Sequence, residues 1–362
     1  MSTVASFDIR YTRFLDPQGA TTQPLPQFAR DPMVLVALYR AMVLTRLFDT
    51  KAIVLQRTGK LGTFASSLGQ EAVGVGVASA MRGEDVLLPS YRDHGAQLLR
   101  GVSMVESLLY WSGDERGSDF AVPRHDFPNC VPIANQACHA AGAAYAMKMR
   151  HEPRVAVCIL GDGASSKGDF YEALNIAGVW TLPLAVVINN NQWAISVPRS
   201  MQTGAQTLAQ KAIAAGIEGL QVDGNDVVAV RQITQEALDK ARGGGGATLI
   251  EALTYRLGDH TTADDATRYR DAEVVAKQWA LEPILRLRNY LVLQGAWDKN
   301  CEDDLNRECV ELVNQAVEAY LATAMPLPQA MFDHLYATLP AALSEQRTAA
   351  LYFDAAARDS HG

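Results

Sequence analysis

The stretch LGDGASSKGDFYEALNIAGVWTLPLAVVINNNQWAIS, Leu160 to Ser196, decides the fold. It begins at the end of an apolar run, Val155 to Leu160, whose length and lack of polar interruption predict a buried strand. The chain then turns at Gly161-Asp162-Gly163 and enters a helical pattern near Gly168. It returns in a second apolar run, Leu182 to Ile188, that ends in Asn189-Asn190-Asn191. A strand–turn–helix–strand unit of this kind leaves polar residues at the carboxyl ends of both strands, where open α/β sheets place ligands. Asp162 and Asn191 are 29 residues apart, yet neighbouring parallel strands bring them side by side. A carboxylate and an amide oxygen so placed suit a hard cation, and Mg2+ commonly joins one or two protein groups to a diphosphate. Gly161 and Gly163 lack a Cβ, so the backbone bends tightly there and admits a bulky anion. The helix from Gly168 adds oriented N–H groups and a positive dipole end. GDG alone is an ordinary turn; the return to the asparagines across a βαβ unit makes it a candidate site.

The segments on either side extend this pattern. Residues 1–30 are mixed and Pro-bearing, and are expected to run extended over a neighbouring surface. Asp31-Pro32 has the form of an N-cap followed by proline in the first turn. Leu35, Leu38, Met42, Thr45, Phe48 and Ala52 then recur at helical spacing. GQEAVGVGVASAM, Gly69 to Met81, and the segment Ala134 to Met149 are small-residue helices suited to close packing, and both are expected to face another surface. Val86 to Leu88 is a short strand leading to Ser90-Tyr91-Arg92-Asp93-His94-Gly95. After the asparagines come a helix over Thr207 to Ala215, a strand over Gly219 to Val222 and a helix over Val227 to Arg242 that stops at four glycines. A strand over Thr248 to Tyr255 delivers the loop Arg256-Leu257-Gly258-Asp259-His260. From Asp271 the chain is mostly helical, broken at Pro326 and Pro328. Alternating strands and helices indicate an α/β protein with a doubly wound, mainly parallel sheet. Its expected parts are an N-terminal extension (1–30), a central domain (31–270) and a helical C-terminal region (271–362).

Three clusters share the expected sheet edge with the GDG turn. Tyr91-Arg92 follows a strand, and arginine suits bidentate phosphate binding; alone, Arg92 reads first as a surface ion pair. Val131-Pro132-Ile133-Ala134 precedes a helix and reads alone as a capping turn, though backbone groups there can grip a heterocycle. His260 lies among Thr261, Thr262, Asp264 and Asp265 in a polar loop with few apolar anchors, where a solvated and a catalytic histidine are equally expected.

As a set these motifs resemble the α subunit of the thiamine-diphosphate-dependent decarboxylating component of 2-oxo acid dehydrogenase complexes. YRDHG, GDGxxSxGDFYEALNxAG, the asparagine pair with its AIS sequel, and GDHTTADDATRYR occur in family order between about Leu38 and Gln346. The resemblance implies the thiamine diphosphate-binding fold. By it, Tyr91 and Arg92 hold the diphosphate, Gly161, Gly163 and Ala164 line it, and Val131 and Ile133 meet the aminopyrimidine through main-chain groups. Asp162, Asn191 and the Trp193 carbonyl are implied magnesium ligands, and His260 matches the family's catalytic loop histidine beside the diphosphate. Trp193 stands where relatives mostly carry Tyr or Phe. The family needs two α/β domains for one active site, so the resemblance also implies a β subunit, in a heterotetramer of two α and two β. It further implies a lipoyl-bearing acyltransferase core that receives the acyl group. Gly62 to Gln70 and Leu208 to Gly224 look most like pyruvate enzymes of bacteria, whereas Thr254 to Arg270 and the tail resemble branched-chain enzymes; pyruvate is the first expectation.

Composition agrees with this class. The 362 residues are 48% hydrophobic and 20% charged, as in a soluble globular protein. A net charge of −8 speaks against a general nucleic-acid binder. No apolar run is long enough for a membrane span, and the N-terminus lacks the pattern of a signal or transit peptide. Five cysteines without a CxxC pair read as reduced cytoplasmic thiols. A nicotinamide or flavin Rossmann enzyme needs GxGxxG after a strand and an acid about 20 residues later, and GDGASSKGD fails that spacing. A non-catalytic α/β protein would have no use for Tyr-Arg, GDG, paired Asn and a loop His at strand ends.

Overall fold

The computed structural model describes residues 2–359. Eight strands occur in chain order: β1 (Arg10–Thr12), β2 (Val86–Leu88), β3 (Ala156–Gly161), β4 (Leu184–Asn190), β5 (Trp193–Ala194), β6 (Val197–Pro198), β7 (Glu218–Asp223) and β8 (Thr248–Leu253). Six form one sheet in the order β1-β7-β8-β4-β3-β2, every neighbouring pair parallel. β5 and β6 form a separate antiparallel hairpin. β3 and most of β4 read as unbroken apolar runs because both sheet faces are covered there. Val157 and Ile159 of β3, with Ala185 and Val187 of β4, enter a core shared with the helices Pro32–Arg57, Glu71–Ala80 and Val227–Arg242. Their alternates Ala156, Cys158, Leu160, Leu184, Val186 and Ile188 enter a second core under the helices Asn135–Met149 and Gly168–Val179. The period of two thus divides each strand between two helix layers, and the expected doubly wound α/β fold is what the chain adopts.

Local signals account for the helix ends. Asp31 caps Pro32–Arg57 by accepting from the Met33 N–H, with Pro32 in the first turn. Asp226 caps Val227–Arg242 through Oδ1, which accepts from Val228 and Ala229. Its Oδ2 accepts from the N–H groups of Phe14 and Leu15, at 2.7 and 2.8 Å. One buried carboxylate therefore ties the N-terminal segment to the sheet. That segment is more than an extended cover, because Arg10–Thr12 pairs with Leu220–Val222 as the outermost strand.

The expectation that both small-residue helices face another surface needs correction for the first. Glu71–Ala80 is enclosed within the chain, with only Ser79 part-exposed. Its glycines serve that enclosure: a Cβ on Gly76 would stand 2.7 Å from Val230 Cγ1, and one on Gly74 would stand 3.0 Å from the Ala96 nitrogen. Asn135–Met149 does keep an open face carrying Cys138, Gly142, Tyr145 and Met149. The segment expected as a helix over Thr207–Ala215 contains only a short one, Lys211–Ala214.

Downstream of Asp271 the chain forms the helices Ala272–Trp279, Pro283–Leu293, Lys299–Leu321, Ala330–Asp333 and Ala341–Asp359. Two compact units are distinguished, the first extending to Val317 and the second beginning at Glu318. Among the described residues no helix is long and apolar enough to cross a membrane. All five cysteines are free.

Asp226→Ala removes a helix cap, worth about 0.5–2 kcal/mol, and orphans two further buried donors at about 1–3 kcal/mol each. The variant is expected to unfold at clearly lower temperature. Limited proteolysis should cut first within the N-terminal segment; unchanged cleavage there means that Asp226 does not anchor it.

Candidate functional site

The carboxyl ends of β2, β3 and β4 enclose a cavity of about 270 Å3. The pairing of β3 with β4 sets Gly161 opposite Asn189, so Asp162 and Asn191 emerge from adjacent strand ends. Both are buried and line the cavity. Tyr91 and Arg92 reach it from the end of β2, Ile133 from the segment before the helix Asn135–Met149, and His260 from the loop after β8. Gly161, Gly163, Ala164 and Trp193 also line it. Val131 does not; it is 55% exposed, and Ala134 beside Ile133 takes the wall position instead.

The glycines have distinct uses. A Cβ on Gly163 would meet the Ala194 methyl at 2.7 Å, so Gly163 allows the hairpin to close over the turn. No protein atom lies within 4 Å of the corresponding point at Gly161, which faces open space. Around the cavity, Ala134, Gln192 and Ile195 hold left-handed φ values of 68°, 73° and 56°. Non-glycine residues adopt this region at a cost of order 1–3 kcal/mol, and such strain gathers where the surrounding structure fixes a ligand-facing backbone. Gln192 is held by its own side chain, whose Nε2 donates to Asn190 Oδ1 at 3.0 Å.

Positive charge concentrates at His260. The buried Arg92 donates through Nη1 to the Ser66 carbonyl at 2.6 Å and through Nη2 to the His260 carbonyl at 2.9 Å. Its Nη2 also lies 3.2 Å from His260 Nδ1. Arg256, almost wholly buried, places Nη1 3.4 Å from the same Nδ1, while its Nη2 donates to the Ile195 carbonyl at 2.7 Å and to the Tyr269 hydroxyl at 2.8 Å. A guanidinium can only donate. Nδ1 is therefore the acceptor, and the ring proton sits on Nε2. Burial, followed by the charges of Arg92 and Arg256, lowers the His260 pKa to about 4. Burial and the neighbouring Arg92 lower that of Arg256 to about 10. Neither arginine has a carboxylate as a direct hydrogen-bond partner among the described residues. Asp93 and Asp264 act on Arg92 and Arg256 through space and without a hydrogen bond, so both guanidinium groups keep positive charge beside the cavity, an arrangement suited to an anion.

Asp162 is the one carboxylate on the wall among the described residues. Burial raises its pKa, opposed by a 2.7 Å hydrogen bond from Gln202 Nε2 to Oδ2. Asn191 Nδ2 donates to Gln70 Oε1 at 2.9 Å, and Asn191 Oδ1 accepts from the Trp193 N–H at 3.2 Å. Asp162, the Asn191 amide oxygen and the Trp193 carbonyl, which lies 3.4 Å from Arg256 Nη1, could offer oxygen donors of the kind preferred by Mg2+. Three further wall residues carry buried atoms without a protein partner: Gln70 Nε2, Gln136 Oε1 and Asn189 Oδ1. Buried polar atoms are nearly always paired, so this wall is built to meet a polar ligand. Gln70, Gln136 and Gln202 carry no local signal that singles them out, whereas Arg256 has one, as an arginine soon after a strand in the loop that carries His260.

The His260 loop is anchored by polar groups in place of the apolar ones it lacks. Arg270 donates to the Arg256 carbonyl and, at 2.8 Å, to the Gly258 carbonyl. Asp264 accepts from the His260 N–H at 2.8 Å and from the Tyr269 hydroxyl. Thr262 and Phe64 exchange two hydrogen bonds that strap the loop to the segment before Glu71.

Comparison with known proteins agrees with this architecture. The chain matches the family described as "Dehydrogenase E1 component" over residues 39–329. It is 41% identical over 344 residues to the 3-methyl-2-oxobutanoate dehydrogenase subunit alpha of Mycobacterium tuberculosis, covering 94% of each chain. It is 41% identical over 313 residues to the pyruvate dehydrogenase E1 component subunit alpha of Staphylococcus aureus (strain Mu50 / ATCC 700699), covering 86% of this chain and 85% of the other. The chain belongs to the dehydrogenase E1 component family.

With its pKa near 4, His260 is neutral through the physiological range. The lowered value favours the neutral ring in the folded state, so its contribution to stability is full above the unfolded value near 6.5 and is lost as pH falls toward 4. An NMR titration of the ring protons, assigned by their loss in His260→Gln, is expected to show no transition between pH 5.5 and 8. A midpoint near 6.5 contradicts the geometry described.

Proposed function

We propose that this chain is the α subunit of a 2-oxo acid dehydrogenase first component, which uses thiamine diphosphate and Mg2+ to decarboxylate pyruvate and passes the acetyl group to a lipoyl group on a partner acyltransferase. The observation that carries the reading is the meeting, on one cavity, of Arg92 and His260, with the buried Arg256 behind the histidine, and the oxygen donors of Asp162 and Asn191. A diphosphate bridged to magnesium needs both halves.

Residues 31–270 are assigned as the diphosphate-binding domain. Tyr91 and Arg92 would bind the diphosphate, and Arg256 supports them through His260. Gly161, Gly163 and Ala164 would let it approach the backbone. Asp162, Asn191 and the Trp193 carbonyl would hold the metal, whose charge would offset the burial that raises the Asp162 pKa. Val131 and Ile133 are assigned to the aminopyrimidine through main-chain groups, Ile133 from the cavity wall and Val131 from the exposed segment leading to it. When bound, thiamine diphosphate supplies the nucleophilic carbon and the electron sink for decarboxylation. Within this chain, His260 offers an Nε2–H donor and no basic nitrogen toward the cavity, so its share is to donate a hydrogen bond to developing negative charge.

The described residues contain one such sheet, and the family resemblance calls for a second domain on a β subunit. Tyr145, Met149, Tyr171, Val179 and Trp180 support a partner surface: all are exposed on or next to the helices Asn135–Met149 and Gly168–Val179, with the Tyr145 and Trp180 rings 4.9 Å apart. A heterotetramer of two α and two β subunits is the assembly we assign. A branched-chain 2-oxo acid is the second reading of the substrate. It is favoured by the M. tuberculosis relative, which matches a larger share of this chain than the S. aureus one.

Calorimetric titration with thiamine diphosphate and Mg2+ tests the site. Asp162→Ala is expected to weaken binding at least tenfold (about 1.4 kcal/mol), and Asn191→Ala less, because water replaces a neutral oxygen ligand. Unchanged affinity in a folded Asp162→Ala protein overturns the metal assignment. The chain alone should be inactive and should gain activity with its β partner. In the assembled enzyme, a tenfold or greater kcat/KM preference for 2-oxoisovalerate over pyruvate would replace the first substrate reading with the second.

A further inference from the structure

A second cavity, of about 640 Å3, opens at the carboxyl ends of β7 and β8. Its volume is that of a small-ligand site, and its position is where open α/β sheets place ligands. Trp193 lines both cavities. From the hairpin region Ala194 and Ile195 face the first, whereas Gln192, Pro198 and Arg199 face the second. Nothing in the chemistry assigned to the first cavity uses the other residues of the second.

The charge on this wall is one-sided. Three arginines and one aspartate line it among the described residues. Asp223 is consumed by the buried Arg286, whose Nη1 donates to Asp223 Oδ2 at 2.7 Å. That leaves Arg13, whose side chain has no hydrogen-bond or ion-pair partner among the described residues. It also leaves Arg199, which spends only Nη2, on the carbonyls of Ala205 and Gln206 at 2.6 and 2.9 Å. Arg286 Nε is buried with no acceptor. The rest of the polar wall, including Tyr11, Ser200 and Gln278, is neutral. In a chain of net charge −8, two uncompensated arginines in one concave site focus a local positive potential. Arginine's planar fork matches carboxylate and phosphate oxygens.

We propose that this second cavity binds a small polyanion, a compound bearing two or more carboxylate or phosphate groups, held by Arg13 and Arg199. The site is distinct from the first cavity, and its occupant touches the hairpin on which Trp193 sits.

The test uses the chain assembled with its β partner and first saturated with thiamine diphosphate and Mg2+. Tricarballylate and glycerol 1,3-bisphosphate are then titrated calorimetrically, with glycerol as the uncharged control. At least one anion is expected to bind at one site per α chain, and glycerol to give no signal; which anion binds separates a carboxylate from a phosphate source. Arg13→Gln and Arg199→Gln should each weaken that binding tenfold or more, while Arg124→Gln, an exposed arginine elsewhere, changes it less than twofold. Absence of binding by both anions at millimolar concentration overturns the proposal, as does affinity unaffected by Arg13→Gln and Arg199→Gln. Should Arg199→Gln impair folding, Arg13→Gln, in the part-exposed N-terminal segment, decides alone. Because thiamine diphosphate binding is read first in the same sample, failure at the second cavity is distinguishable from failure at the first.

Discussion

The parallel pairing of β3 with β4 is the constraint on which the rest of the site depends. With Gly161 opposite Asn189, the two strands end together and the polar residues that follow them meet. Slippage by one residue would do more than misalign Asp162 and Asn191. It would exchange Val157 and Ile159 for Ala156, Cys158 and Leu160 between the two cores, which are packed by different helices. The core therefore fixes the register, and the register fixes the candidate ligand geometry.

Burial then sets the electrostatics. Asp162, Arg92, Arg256 and His260 sit on or behind one wall, and removal from water disturbs the ionisation of Asp162, Arg256 and His260. His260 illustrates how neighbours decide a tautomer. Two guanidinium donors aimed at Nδ1 leave Nε2 to carry the proton, with no carboxylate needed to orient the ring. The carbonyls of Ser66, Ile195 and His260 itself and the Tyr269 hydroxyl receive other arginine donors, so neutral groups take hydrogen bonds that a carboxylate would otherwise accept.

Much of this was legible in the sequence because its signals are local. The apolar runs around GDG and before the asparagines, the Asp31-Pro32 cap and the helix Val227–Arg242 follow from periodicity and turn chemistry within a few residues. The motif residues Tyr91, Arg92, Asp162, Asn191 and His260 lie on one cavity because the topology carries strand ends to one edge. What escaped depends on distant partners. Gln202 reaches Asp162 from 40 residues downstream, and Gln70 meets Asn191 across 121 residues. Arg10–Thr12 is too short and too polar to announce itself as a strand; its place follows from Asp226 holding Phe14 and Leu15. The small-residue helix Glu71–Ala80 was legible as a packed element but not as one enclosed by its own chain, since glycine permits close approach without naming the neighbour.

The sheet ends on both sides in strands of three residues, β1 and β2, whereas its inner strands have six or seven. An exposed strand edge is a template for another chain, and a three-residue edge offers an incoming strand very little to pair with. Growth by adding strands from one molecule to the next is disfavoured at either end. The helix faces carry no such limit, and exposed aromatic and aliphatic side chains lie on them at Tyr145, Met149, Tyr171, Val179 and Trp180. A chain built this way is inclined toward closed assemblies of fixed number and away from open-ended fibres.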